Sequence, residues 1–270
     1  MKKYIKYFIV IAMYAAGALL YTQLPDMVPS HWNFQGVADS FQPKMYGTWL
    51  LPTVALAMIL LFPVFRKIDP KRENYESFAR VWEIFQLGLV LFMAYVYAIQ
   101  LYVALHPELS ALVGRGITFG IGILFVIMGN YMGKIRQNFF VGMRTPWALS
   151  DPEVWSKSQR FAGWMFVIGG LLAIVESIVW LYSGLVFFGI VLVIALSPMI
   201  YSYLLYRGKG NVNSKALRSV LFLIVVLLFV TAAVVAGMRL LSSEDDWICK
   251  DGQWVQHGVP SAPMPTTPCQ

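Results

Sequence analysis

"FAGWMFVIGGLLAIVESIVWLY", residues 161–182, carries a single ionisable acid, Glu176, in a run otherwise built of aliphatic, aromatic and small residues. At ~1.5 Å of rise per residue, a helix of this length crosses the ~30 Å hydrocarbon core of a bilayer. Comparable runs lie on either side of it: Tyr4–Leu24, Gly47–Phe65, Val81–Leu105 and Leu112–Met132 before, Leu185–Tyr206 and Ser219–Leu241 after. The whole chain, 270 residues, is 58% hydrophobic and only 13% charged, with a mean hydropathy of +0.63. Those values exclude an ordinary soluble domain and make the bilayer the solvent. The expected fold is all-α: a polytopic transmembrane helical bundle of about seven spans.

Basic residues set the orientation, because Lys and Arg near span ends stay on the cytoplasmic side. With the N-terminus inside, all but four of the 21 Lys and Arg residues fall on cytoplasmic segments, the exceptions being Lys44, Arg115, Arg239 and Lys250. The expected topology is therefore N-in and C-out. A signal-peptide reading of the first run, around Ala16-Gly17-Ala18, leaves the segment that follows it outside all the same. The net charge of +7 is then a topology signal that also meets anionic lipid headgroups, and direct nucleic-acid binding is not expected.

The chain divides accordingly. Residues 1–80 hold the first two spans and an outer loop, and 81–206 form a four-helix membrane region with a cytoplasmic motif loop at 129–160. An additional span follows at 207–241, and 242–270 make a small extracellular tail. Both cysteines, Cys249 and Cys269, lie in that tail, in an oxidising compartment where a disulfide between them is the natural reading. Binding of a metal by the cysteines and His257 would need a fourth ligand that the tail does not offer, so no metal and no cofactor is expected. Its "WICKDGQWV" segment, 247–255, suits a hairpin around Asp251-Gly252.

Two polar segments interrupt the apolar pattern. The first, "MVPSHWNFQGVADSFQPK", 27–44, is placed outside: Pro25 and Pro29 stop the first helix, and Asn33 and Gly36 suit a turn. One reading makes Trp32, Phe34 and Phe41 an interfacial aromatic belt, with His31 and Asp39 satisfying local backbone groups. The other makes the loop a recognition element. The second segment, "GNYMGKIRQNFFVGMRTPWALSDPEVWSKSQRFAGW", 129–164, mixes Lys134, Arg136 and Arg144 with Phe139, Phe140 and Trp147. That composition suits headgroups, an acidic partner surface or an anionic ligand, or else a plain interfacial linker. Ser150 with Glu153 three residues later forms a capping-box pattern, from which a helix runs into the fifth span.

Three polar residues lie within the spans at a shared depth near the outer boundary: Gln100, Arg115 and Glu176. An intramembrane acid alone costs roughly 2.5–3.5 kcal/mol on insertion scales, so Arg115 is the expected partner of Glu176. The pair either fixes helix packing or floors a polar pocket beneath the outer loop. Glu83, near the inner end of its span, is expected to snorkel or pair with Arg80.

Together the two segments resemble a known family. "PSHWNFQGVADSFQPK" is similar to the outer-loop pattern of a domain of otherwise unknown function. "NYMGKIRQNFFVGMRTPWALSDPEVWSKSQRFAG" resembles the signature of the SdpI family of bacterial membrane proteins. The resemblance covers roughly residues 1–206, six of the seven spans. It implies immunity and signalling in a bacterial inner membrane: protection from a secreted killing peptide, and retention of a cognate repressor at the membrane when the peptide is engaged. It places His31, Asn33, Gly36, Asp39 and Lys44 in the outer loop. It places Asn130, Gly133, Lys134, Arg136, Asn138, Phe139, Gly142, Arg144, Thr145, Pro146 and Trp147 in the cytoplasmic motif. No catalytic residue comes with it. A transporter is supported weakly, since charges within the spans are few and no pair of broken half-helices is apparent. A membrane enzyme using His31 with Asp39 or Glu176 lacks an apparent nucleophile.

Overall fold

The apolar runs fold as helices because a bilayer offers no partner for backbone N–H and C=O groups, which must then be satisfied within the segment. A computed structural model describes residues 4–33, 38–180, 185–208, 247–250, 253–256 and 264–267. Its helices are α1 (Ile5–Leu20), α2 (Lys44–Ile68), α3 (Asn74–Ser77), α4 (Ala79–Leu105), α5 (Val113–Met132), α6 (Pro146–Ser150), α7 (Pro152–Val179) and α8 (Leu185–Arg207), with a 3-10 turn at Pro107–Leu112 before α5. Five of the described helices are long and apolar enough to cross a membrane, and α1, at 16 residues, is a shorter apolar helix. The seventh expected span, 219–241, lies outside the described residues.

Large apolar side chains face outward along these helices, among them Phe8, Leu19, Ile178 and Trp164. In water that surface would be an aggregation liability; in a bilayer it is the solvated face. α1 ends four residues before the expected boundary. The N–H groups of Gln23 and Leu24 both turn back to the Leu20 carbonyl, and Pro25 disfavours helical backbone at the residue before it.

The helices are joined by less than purely helical connections. β1 (Met27–Trp32) and β2 (Ala38–Pro43) pair antiparallel, with Met27 opposite Pro43, Pro29 opposite Phe41 and Trp32 opposite Ala38. Irregular register on both sides of His31 bends the ribbon. In the tail, β3 (Trp247–Lys250) pairs with β4 (Gln253–Gln256), and the Trp254 indole donates to the Thr267 carbonyl at 2.8 Å. The fold is all-α in its membrane part, carrying two small β-hairpins.

α1, α2 and α4 pack around Val10, Met13, Ala55, Ile59, Val90, Tyr97 and Leu101, a cluster that reaches Val28 in β1. α5, α7 and α8 form the second group. α5 and α7 cross almost backbone to backbone: a Cβ on Gly122 would lie 2.8 Å from the Gly170 carbonyl oxygen, and one on Gly129 would lie 2.7 Å from that of Gly163. Small residues at such crossings bring helices together by van der Waals packing and Cα–H···O contacts. A second cluster, including Phe62, Tyr75, Trp82, Ile135, Trp155 and Leu205, joins both groups at the end opposite the β1–β2 hairpin.

α7 begins differently from the expectation. Its N-cap is Asp151, whose Oδ1 accepts from the backbone N–H of Glu153 at 2.7 Å and of Val154 at 3.1 Å. Ser150 closes the preceding α6 and donates to the Trp147 carbonyl. Pro152 decides between them, because it drives the residue before it into extended backbone, the geometry an N-cap needs.

Candidate functional site

At one end of the bundle the β1–β2 hairpin is pinned to the start of α2. Lys44 Nζ pairs with Asp26 at 2.9 Å, and the Lys44 backbone N–H donates to the Asp26 carbonyl. Val28 is buried against Gly47, where any Cβ would collide with it. His31 Nδ1 and Asp39 Oδ1 lie 2.6 Å apart across the strands, with both side chains well exposed. Asn33 follows β1, and Gly36 lies outside the described residues. A second exposed histidine–carboxylate pair, His106 with Glu108 at 3.3 Å, sits at the same end after α4.

Beneath the hairpin is a cavity of about 250 Å³. Ser30, Trp32 and Gln42 roof it, α2 contributes Leu50 and Leu51, α4 contributes Val96, Ile99 and Gln100, and α5 contributes Val113 and Ile117. Its walls are aliphatic and its polar groups uncharged. The Trp32 Nε1 is buried and has no hydrogen-bond partner, a donor left unused at the cost of its lost hydration.

Of the expected polar trio, only Gln100 reaches this cavity. Arg115 instead lies over the Trp180 ring, its guanidinium carbon 5.9 Å from the centroid, and Trp180 also fills the space beside Gly114. Among the described residues Arg115 and Glu176 form no ion pair. The reason is azimuthal. Glu176 shares a stripe of α7 with Ala173 and Gly169, and Gly169 packs on Ile190 and Ile194 of α8. The α5-facing stripe is Gly163 and Gly170. Glu176 is buried and Arg115 is held by an aromatic face rather than by the acid.

At the opposite end, two loops knot together. Asp69, at the end of α2 and almost completely buried, accepts from the Lys71 N–H at 2.7 Å, the Tyr75 hydroxyl at 2.9 Å and the Phe139 N–H at 2.9 Å. Burial, and next the hydrogen bond to Asp69, push the Tyr75 hydroxyl well above its ordinary range, so it stays a donor. Asn138, fully buried, folds the motif loop on itself: Oδ1 accepts from the N–H groups of Phe140 and Val141, and Nδ2 donates to the Arg136 and Val141 carbonyls. Gln137 donates to the Ala148 and Leu149 carbonyls and accepts from Lys71 Nζ. Gln159 from α7 donates to and accepts from the Met143 backbone, lying against Gly142, whose φ of 102° suits glycine.

The rest of the motif divides by burial. Thr145 caps α6, accepts from the Ala148 N–H and shares a hydrogen bond with Ser202 of α8 at 2.8 Å. Pro146 opens α6, and Trp147 packs edge-on against Tyr203. Lys134 lies over the Tyr131 ring, Arg144 donates to the Phe139 carbonyl at 2.8 Å, and Arg136 and Phe139 are exposed on the same loop. Asn130 stands on α5, exposed, beside Arg160 of α7. Thus Asn138, Thr145, Pro146 and Trp147 build the loop, while Lys134, Arg136, Arg144 and Phe139 form its outer face.

Asp69, Lys71, Asn74, Tyr75, Gln137 and Gln159 were not among the residues expected from the sequence. The available signal was Asp69-Pro70 one residue after Arg66-Lys67: an acid placed just past a helix C-terminus, where a cation is the usual choice. In the tail, Cys249 lies on β3 and Cys269 lies outside the described residues.

A cavity roofed by a hairpin at one end, a loop knot at the other and apolar outer faces between them define a polytopic helical membrane protein. Residues 8–56, α1 through the first half of α2, match a domain of unknown function, DUF1648. Residues 134–202, from the knot through most of α8, match the SdpI/YfhL protein family. The chain is 25% identical over 207 residues to Immunity protein SdpI of Bacillus subtilis (strain 168), covering 76% of this chain and 96% of that protein. No solved structure matches. The chain is thus similar to the SdpI/YfhL family over its knot and last described helices, and it is a multi-pass bacterial membrane protein.

Proposed function

We propose that this chain is a membrane immunity protein whose hairpin end faces outward and receives a secreted toxic peptide. The observation that carries the reading is the roofed cavity, with the unused Trp32 Nε1 donor and the Gln100 amide set among aliphatic walls. An apolar side chain next to a backbone carbonyl fits both features. At about 250 Å³ the cavity is below the ~300–1,000 Å³ of drug-sized pockets, so it takes one anchoring side chain rather than a whole ligand. The resemblance to an immunity protein supports the same direction.

The N-in reading supports the orientation, since it puts His31, Asp39 and the cavity outside and the knot in the cytoplasm. There the exposed Lys134, Arg136, Arg144 and Phe139, on a loop fixed by Asn138 and Gln159, offer a rigid basic surface to a repressor held at the membrane. In the extracellular tail Cys249 pairs with Cys269, in keeping with the absence of a free cysteine among the described residues.

Survival tests the proposal. A susceptible bacterium expressing this chain is challenged with spent medium from a peptide-secreting Bacillus culture. The chain is expected to protect, and Trp32→Phe with Gln100→Leu is expected to abolish protection at unchanged membrane level. A double variant that protects fully would remove the cavity from recognition, and a well-expressed parent that gives no protection would refute the immunity reading for that peptide.

A further inference from the structure

On the knot side a cleft of about 260 Å³ opens on the outer surface between the end of α5 and the third to fifth turns of α7. Its floor is backbone: a Cβ on Gly163 would lie 2.7 Å from the Gly129 carbonyl oxygen, so no side chain fills the crossing. One wall is a stripe of α7, Arg160, Trp164 and Val167, at helical spacings of four and three. The other carries Asn130, an exposed amide on an otherwise apolar helix.

The stripe runs in a definite order: a cation at the knot end, an indole that is 66% exposed, then an aliphatic side chain deeper in the span. From Arg160 to Trp164 the helix rises ~6 Å. The headgroup layer of one leaflet is about 5–7 Å thick, half the difference between whole and hydrocarbon thickness. Charge, ester level and acyl chain of a phospholipid follow the same order at the same spacing. Arg160 rests its aliphatic stem on Gly133, where a Cβ would lie 3.0 Å from its Cγ. None of the ion pairs among the described residues involves Arg160. Across Gly133 a second, more polar recess presents Lys134, Arg136 and Arg80; its acid, Glu76, lies toward Arg66 at 3.8 Å.

We propose that this cleft binds one anionic phospholipid of the leaflet on the knot side. Its phosphate lies between Arg160 and Asn130, the Lys134 side supplies further positive charge, and an acyl chain runs over Gly163 past Val167. The site is separate from the hairpin cavity and stands whether or not the chain confers immunity.

The test uses the full chain in detergent, with native mass spectrometry and thermal unfolding in the presence of phosphatidylglycerol, phosphatidylcholine or inorganic phosphate. Phosphatidylglycerol is expected to stay bound and raise the unfolding temperature, whereas phosphatidylcholine and phosphate leave it unchanged. Arg160→Gln should weaken phosphatidylglycerol binding about five-fold, the effect of one basic group at an anionic surface. Lys134→Gln, on an exposed loop, should weaken it in the same direction, and Arg72→Gln, an exposed cation away from the cleft, should not. Equal retention of the two lipids would overturn the proposal, as would equal losses in Arg160→Gln and Arg72→Gln. A shift produced by phosphate alone would make the cleft a simple anion site and overturn it too.

Discussion

Replacing Tyr75 with Phe and Asp69 with Asn, singly and together, tests whether the knot is held by one buried carboxylate. Asp69 receives three donors at 2.7–2.9 Å, and hydrogen bonds to charged groups are worth ~1.5–3 kcal/mol each. Tyr75→Phe removes one and should cost that much. Asp69→Asn keeps the shape but sets an amide N–H against the donors, losing one charge-assisted bond and stranding its donor, for ~3–5 kcal/mol in all. If the hydroxyl acts only through the carboxylate, the double variant should cost less than the sum by about 1–2 kcal/mol. The assay is unfolding of the purified chain in mixed micelles by increasing dodecyl sulfate, followed by circular dichroism, with limited proteolysis reporting cuts within residues 133–145. The raised Tyr75 hydroxyl adds a pH arm. The folded state keeps a proton that the unfolded tyrosine releases near ~10, so stability should fall as pH rises above that value, and Tyr75→Phe should lessen the fall. Additivity within ~0.5 kcal/mol, or a Tyr75→Phe cost below that, would refute the carboxylate as the organising group.

Other outcomes follow from single contacts. Gly170→Ala should destabilise by ~1–3 kcal/mol because its Cβ meets the Gly122 carbonyl oxygen at 2.7 Å. Gly88→Ala, whose nearest neighbour is a leucine methyl at 3.5 Å, should be neutral or stabilising by up to ~1 kcal/mol; thermal unfolding of the pair reads the difference. Asp151→Ala should cost ~0.5–2 kcal/mol and Ser150→Ala much less, which assigns the cap of α7. His31→Ala should change stability by under ~1 kcal/mol, since its pair with Asp39 is exposed. Loss of protection at unchanged stability would then place His31 in recognition, and retained protection would leave the pair as a strand contact.

The helices were legible because apolar length is a local property: α4 ends at Leu105 and α5 at Met132 as the runs do, and α8 runs only one residue past its run, to Arg207. The hairpin was legible as a turn between prolines, though its pairing register was not. Arg115 and Glu176 show what depth alone leaves out. Position along a span gives height in the bilayer, but each residue also turns ~100° about the helix axis, and that angle takes Glu176 off the stripe of α7 that faces α5. The knot was illegible for a related reason. Asp69, Asn138 and Gln159 are isolated polar residues far apart in the chain, and no local period links them. The capping box failed over one residue, where Pro152 outweighed the Ser-x-x-Glu pattern.

The knot also has a mechanical consequence. It fastens the end of α2, α3, the loop after α5 and the start of α7 at one side of the bilayer through buried hydrogen bonds. At the other side a bent two-stranded ribbon lies over a cavity lined by α2, α4 and α5. The bundle is thus cross-linked by several buried polar contacts at one end and by a packed valine and one ion pair at the other. Backbone amides at the ribbon side are therefore expected to exchange sooner than those at the knot.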